Sequence, residues 1–294
     1  MARTPPRGFK PMKKQFNLLV AVIAAVLCLS AAAFPQSLVK RTTTKTDKFD
    51  FGSGGSVNIV GAPEGSIRVI GTNRHEIEIT AEIEIQAPTE ADLATLATLT
   101  TFLTDETPNR TGIISVGPYN KGGLKKLPKK FPKALLTMPT RIDYVIYVPH
   151  YTDLDISGGK GDLEITGVEG SMQIKFLESN AKIEVIGGAT TATVGSGNVD
   201  IALGVKGWRG RMADIQVATG TLRVRLPAMM SAELDAVILR TGSIENSIDG
   251  LKPRDRKVPF TDKAISAKAG VGGVPIKFSV GDGTLKMDPL VLPL

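Results

Sequence analysis

The sequence predicts an all-β fold: a single-stranded β-solenoid, as a β-helix or β-prism, with a period near 20 residues, preceded by an N-terminal β-rich region containing one helix. Three observations predict it. The chain is 42% hydrophobic but only 5% aromatic, with 31 glycines, a composition suited to short stacked strands of small aliphatics. Residues 75–87, HEIEITAEIEIQA, set Ile and Ala against Glu and Thr in strict alternation, the pattern of a strand with one buried and one wet face. A short motif, a small residue followed by two apolar residues spaced by one, recurs downstream. Its first apolar residues are Leu163, Ile183, Val199, Leu222, Ile244, Ile265 and Leu285, at intervals of 20, 16, 23, 22, 21 and 20. One coil cannot bury such aliphatics alone, but a stack of coils can.

Taken in order, residues 1–33 read as a secretory signal peptide or an uncleaved anchor. Arg3, Arg7, Lys10, Lys13 and Lys14 precede the apolar run to Phe34, and Ala31 and Ala33 sit where a small-residue cleavage site places them. The run from Leu18 to Phe34 is short for a bilayer span. The formal net charge of +7 falls to +2 without those five cations, so the basicity belongs mostly to targeting and does not indicate a nucleic-acid surface. Cys28, the single cysteine, leaves with a cleaved peptide, and the remainder then has neither disulfide nor cysteine-based metal site.

Residues 34–48 read as a linker, polar and rich in Thr and Lys, with a frayed first strand as the other reading. An N-terminal β region follows over 49–150, continuous with coils at 151–294. Within it, Leu93, Leu96, Leu99 and Leu103 fall at helical spacing behind Thr89 and Asp92, which predicts a helix near 88–104. A basic loop at 121–133 carries Lys121, Lys125, Lys126, Lys129, Lys130 and Lys133 with no acid, and Pro128 and Pro132 keep it from being a regular helix. Those six lysines are the candidate site for an anionic surface, an acidic polysaccharide or an anionic lipid, against the plainer reading of a solvated loop. The glycines of GKGDLEITG (159–167) read as corners of the coil. DPLVLPL (288–294) would cap the last coil.

The run 142–203 resembles the bacterial putative-adhesin β-solenoid families, adhesin-like or autotransporter-head-like domains of unknown function. The resemblance rests on the IDYVIYVP strand, the LDISGGKGDLEITGVEG segment and the GSGNVDI unit. Upstream, GSIRVIG and EIEITAEIEIQA fit as well, so it covers roughly residues 49–289. It implies export, a β-solenoid or prism-like form, and an adhesion or envelope role, and it brings no catalytic residues. The chain carries no barrel-length strand series and no final aromatic signal, which argues against an autotransporter translocator.

Catalytic and metal chemistry is poorly served. His75 and His150 have no His or Cys partner at ligand spacing. GGKGDLEI nearly matches a calcium-binding nonapeptide, but Asp162 stands one place early, and a slip of one residue turns a side chain to the other face. Asp153, Asp155, Asp162, Glu164 and Asp200 are the candidates for the paired carboxylates of a glycoside hydrolase. All alternate with apolar residues, so they read as solvated strand faces. No serine has the setting of a nucleophile elbow. The expectation is thus a non-enzymatic binding module without catalytic residues, cofactor or metal. Its expected partner is an acidic polysaccharide, an anionic lipid or another envelope protein, at the periplasm or cell surface. Two other classes stay open: a membrane-anchored envelope scaffold or stress-associated partner protein, and a carbohydrate-active enzyme on a β-helix.

Overall fold

The computed structural model describes residues 38–107, 109–120, 131–204 and 208–291. The leader reading at 1–33 falls outside them. The strands are β1 (Val39–Asp50), β2 (Ser56–Val60), β3 (Ile67–Thr72), β4 (Glu76–Ala87), β5 (Thr101–Thr107), β6 (Arg110–Val116), β7 (Thr140–Pro149), β8 (Asp153–Lys160) and β9 (Leu163–Thr166). They continue with β10 (Met172–Glu178), β11 (Ala181–Val185), β12 (Gly187–Leu203), β13 (Arg209–Leu226), β14 (Ala232–Ile238), β15 (Gly242–Asn246), β16 (Lys252–Pro253), β17 (Ala264–Ala269) and β18 (Val274–Pro289). One helix, α1 (Glu90–Ala97), lies between β4 and β5. The protein is therefore mostly β with one α-helix among the described residues, and its strands belong to a single curled sheet.

Pairing divides that sheet into two parallel walls. The first wall runs β6, β2, β8, β10, then the front halves of β12, β13 and β18, then β14. The second runs β7, β3, β9, β11, the rear halves of β12, β13 and β18, then β15. The inward side chains of both walls join one continuous hydrophobic cluster, from Phe51 to Met287.

The register corrects the expected repeat. Leu163 pairs with Ala181, Ala181 with Val199, Val199 with Leu222, Leu222 with Leu285, and Leu285 with Ile244. The column therefore advances by 18, 18, 23 and then 63 residues, and a uniform period near 20 is not found. Ile183 sits one row over, opposite Ile165, because Ala181 is the residue that fills the column. Ile265 belongs to β17 and pairs antiparallel with Ala236 of β14 on the first wall.

Stack order also departs from chain order. The pair β2/β3 lies between β6/β7 and β8/β9, and β18 lies between β13 and β14/β15. Beyond the parallel rungs, antiparallel strands close the flanks. β4 and β1 extend the second wall past β7, β5 lies beside β6, and β17 and β16 extend past β14.

The walls meet at a column of glycines. Gly65, Gly161, Gly197, Gly220, Gly283 and Gly242 all have φ between 127° and 148°, a region open essentially to glycine alone. A Cβ on any of them would lie 1.6–2.0 Å from a backbone oxygen of the neighbouring rung; at Gly220 that oxygen is Gly197 O, 1.9 Å away. Rungs approach here as closely as backbone allows, so the glycine is required twice over.

Two N-terminal expectations change. The predicted linker 34–48 contains most of β1, whose twelve residues pair in full with β4. Its alternation is invisible because its inward side is polar. Arg41 pairs with Glu90 of α1 at 2.8 Å, Lys45 donates to Phe102 O at 2.8 Å, and Asp47 accepts from the Thr104 hydroxyl at 3.1 Å. The helix is shorter than 88–104. Thr89 caps it by accepting from the Asp92 N–H at 3.1 Å, and Leu93 and Leu96 are buried. The Thr98–Thr101 stretch is rich in β-branched residues and disfavours helix, so Leu103 emerges exposed on β5.

Candidate binding surface

Side chains between the buried positions of the first wall form outward rows that cross the rungs. One row runs Asn58, Asp155, Gln173, Thr191, Asp214, Lys277 and Asp235, and the next Val60, Ser157, Lys175, Thr193, Gln216, Ser279 and Val237. Neighbours in a row stand about 4.8 Å apart, the inter-strand spacing. A shallow groove of about 280 Å³ crosses four rungs here, lined among others by Ser56, Asp155, Gln173 and Thr191. At the β5 end the second row continues as Ile114 and Leu103, both exposed.

The second wall differs. Its outward row reads Arg68, Glu164, Lys182, Asp200, Arg223, Lys286 and Glu245, mostly alternating in sign. Arg68 bonds Glu164 at 3.1 Å, Arg225 bonds Asp200 at 2.8 Å, Arg223 bonds Asp288 at 2.7 Å and Lys286 bonds Glu245 at 2.9 Å. The pairing with Asp288 raises the Arg223 pKa further above its ordinary value. Near the rim, burial pushes the Asp143 carboxyl up, but Arg141 and Ser66 outweigh it and hold it below the usual carboxylate range. On the first wall the bonds among these side chains are few. Gln216 donates to Asp214 at 3.1 Å, and Asp235 is bonded by Arg254 and Ser266 at 3.0 and 2.9 Å.

The residues singled out from sequence are dispersed. Asp153 and Asp155 face outward on β8, and Asp153 accepts from the Ser171 N–H at 2.6 Å. Asp162 lies at the corner and accepts from the Asn180 side chain at 3.2 Å, while Asn198 in turn donates to Asn180 Oδ1 at 3.1 Å. That amide ladder occupies the place of the calcium near-match. Glu164 and Asp200 are on the second wall, each bonded to an arginine. The five carboxylates therefore do not converge. Among the described residues no three of His, Cys, Asp and Glu are grouped to hold a metal ion.

His150 donates through Nδ1 to Gly167 O, a corner contact, and His75 stands exposed beside β4. Lys121, Lys125, Lys126, Lys129 and Lys130 lie outside the described residues, and Lys133 is exposed at the start of a 3-10 turn, Lys133–Thr137. No helix among the described residues is long and apolar enough to cross a membrane. Sequence reasoning missed the Gln173, Thr191, Thr193 and Gln216 rows. The signal was present in QIK, TAT and DIQ, polar residues spaced by two, but it resembles any wet strand face until the register aligns them.

These features define a mostly β protein with one largely self-neutralised wall and one polar wall whose outward side chains make few bonds with one another. No family model matches the chain, and no curated protein matches it. Solved structures do resemble it. One is a putative cell adhesion protein from Clostridium sporogenes ATCC 15579, 13% identical over 85% of this chain and 100% of that one, with a TM-score of 0.42. A putative adhesin from Bacteroides fragilis NCTC 9343 is 11% identical over 84% and 97%, with a TM-score of 0.35. A putative adhesin from Parabacteroides merdae ATCC 43184 is 9% identical over 83% and 96%, with a TM-score of 0.21. At such identities and TM-scores these structures say nothing of this chain's own ligand.

Proposed function

We propose that this chain is an exported, non-catalytic binding module of the bacterial envelope, adhesin-like in role. Its parallel rungs are read as the coils of a solenoid with inserted strands at each end, and its first wall as the docking face for an extended polar polymer. An acidic polysaccharide is the ligand class that suits both parts of the molecule. The lysines of 121–133 supply long-range attraction to an anionic chain, and the hydroxyls and amides of the first wall supply short-range hydrogen bonds. Anionic lipid and another envelope protein are the competing partners.

One observation carries this reading: every charge of the second wall's outward row except Lys182 is ion-paired, whereas Gln173, Lys175, Thr191 and Thr193 have no side-chain hydrogen bond or ion pair among the described residues. A long face with unengaged donors is how stacked-repeat proteins bind. The dispersal of Asp155, Glu164 and Asp200 over two walls supports the non-catalytic part.

The test is a glycan and lipid array probed with the full chain and two variants. Gln173→Ala/Thr193→Ala loses at least tenfold in binding to the captured glycan, and Lys182→Ala on the second wall keeps it. Equal retention by all three proteins defeats the proposal.

A further inference from the structure

A second recessed feature lies away from the proposed docking wall. The end of β1, the turn into β2, the start of β4 and the tip of the β5–β6 hairpin enclose an open cleft of about 730 Å³, a volume in the range of small-molecule sites. Phe49 and Phe51 form its apolar side, Asp50 and Glu106 stand on its rim, and His75 and Asn109 complete it. Local structure fixes these positions. Phe51 N–H donates to His75 O at 3.0 Å, tying the turn to β4, and the buried Phe51 ring fills the space beside Gly55.

The carboxylates of the cleft differ from three of those on the strand beside it. On adjacent β4, Glu76 pairs with Lys48 at 2.9 Å, Glu78 with Arg74 at 3.3 Å and Glu84 with Lys40 at 2.6 Å. Among the described residues Asp50 and Glu106 have no cation within salt-bridge distance. Asp50 has no side-chain hydrogen bond, and Glu106 accepts one, from the Thr104 hydroxyl at 3.1 Å. Two uncompensated carboxylates thus border an aromatic recess. The same end of the fold already shows what such a setting holds: Lys45 Nζ lies 4.2 Å from the centre of the Phe102 ring. A cation over a phenyl face is attracted by the ring quadrupole, and an aliphatic stem adds apolar contact.

We infer that this cleft is a binding site for an organic cation with an aliphatic stem, its charged head between Asp50 and Glu106 and its stem against Phe49 and Phe51. That chemistry has two sources, the arginine or lysine side chain of an extended peptide and a free alkyl-guanidinium or alkyl-ammonium. The site is independent of the glycan reading of the first wall.

The experiment records amide NMR shifts of the full chain during titration with n-butylguanidinium, the peptide Gly-Arg-Gly and the peptide Gly-Glu-Gly. Gly52, His75 and Asn109 amides shift with millimolar n-butylguanidinium and Gly-Arg-Gly, and do not with Gly-Glu-Gly. Tenfold tighter binding of Gly-Arg-Gly than of n-butylguanidinium assigns the peptide source, and equal or weaker binding assigns the free cation. Asp50→Asn/Glu106→Gln, which keeps both side-chain volumes and an unchanged spectrum elsewhere, weakens either cation at least tenfold. Absence of shifts at 10 mM ligand, shifts that Gly-Glu-Gly reproduces, or unchanged affinity in the double variant overturns the inference.

Discussion

The two walls share a backbone scheme, a core and three strands, yet they treat their outer side chains in opposite ways. On the second wall, register places Arg68 beside Glu164 and Lys286 beside Glu245, so most rungs answer the charge of the next, and Arg223, beside Lys286, turns to Asp288. On the first, the same register aligns Gln173 with Thr191 and Lys175 with Thr193, groups that satisfy one another little. In-register stacking forces every surface residue to meet a neighbour about 4.8 Å away. Opposite charges turn that closeness into stability, and neutral polar groups leave it available to a ligand.

The largest test strikes the joint common to both walls. Gly220→Ala adds a Cβ against Gly197 O at a φ of 134° and destabilises by about 4 kcal/mol, strain and overlap together. Urea unfolding followed by circular dichroism and by Trp208 fluorescence shows both signals moving to the same lower midpoint. If only one moves, the walls are separate bodies.

Next comes the second wall itself. Asp200 and Arg225 are roughly a third exposed, and a double-mutant cycle on them returns a coupling of about 0.5–1 kcal/mol that shrinks in 1 M salt. A coupling near zero removes the claim that this wall is held by its charges.

A smaller effect distinguishes the corner beside it. Arg240 first, then Thr241, hold the Asp282 carboxyl at a pKa of about 2. Because the folded value lies below the unfolded one near 3.8, the contribution is complete above the unfolded pKa and is lost as pH falls from about 4 toward 2. The stability difference between the wild type and Asp282→Asn therefore narrows over that range, as acid-titrated unfolding midpoints reveal. A difference that is constant with pH disproves the assignment.

The smallest effect belongs to the first wall. Gln173→Ala/Thr193→Ala changes stability by less than about 0.5 kcal/mol, read from the urea midpoint. A larger loss makes these residues structural and weakens their claim to a ligand.

The strand content was legible because β4 alternates aliphatics and acids without a break. The 18-residue spacing of three successive rungs was also legible, but in the polar corners and not in the apolar motif. Gly161-Asp162, Ser179-Asn180 and Gly197-Asn198 recur every 18 residues, as the stacked side chains of Asp162, Asn180 and Asn198 require. Aligning on Ile183 instead of Ala181 shifted one rung by a single pair. β1 was legible only as the alternative of a frayed first strand, since Arg41, Lys45 and Asp47 face inward at a stack end where the partners are helix and hairpin rather than core. The first-wall rows and the Phe49–Glu106 cleft depend on neighbours 18 to 97 residues apart, and one strand's sequence does not carry that information.

The position of β18 between β13 and β14 has a consequence for how the molecule is made. Both flanking strands precede Val274–Pro289 in the chain, and among the described pairings only β18 joins β13 to β14 and β15. Ile276, Phe278, Val280, Leu285 and Met287 are buried at that junction. Without β18, β13 and the β14/β15 pair would each present a bare strand edge, the kind of surface on which other chains pair.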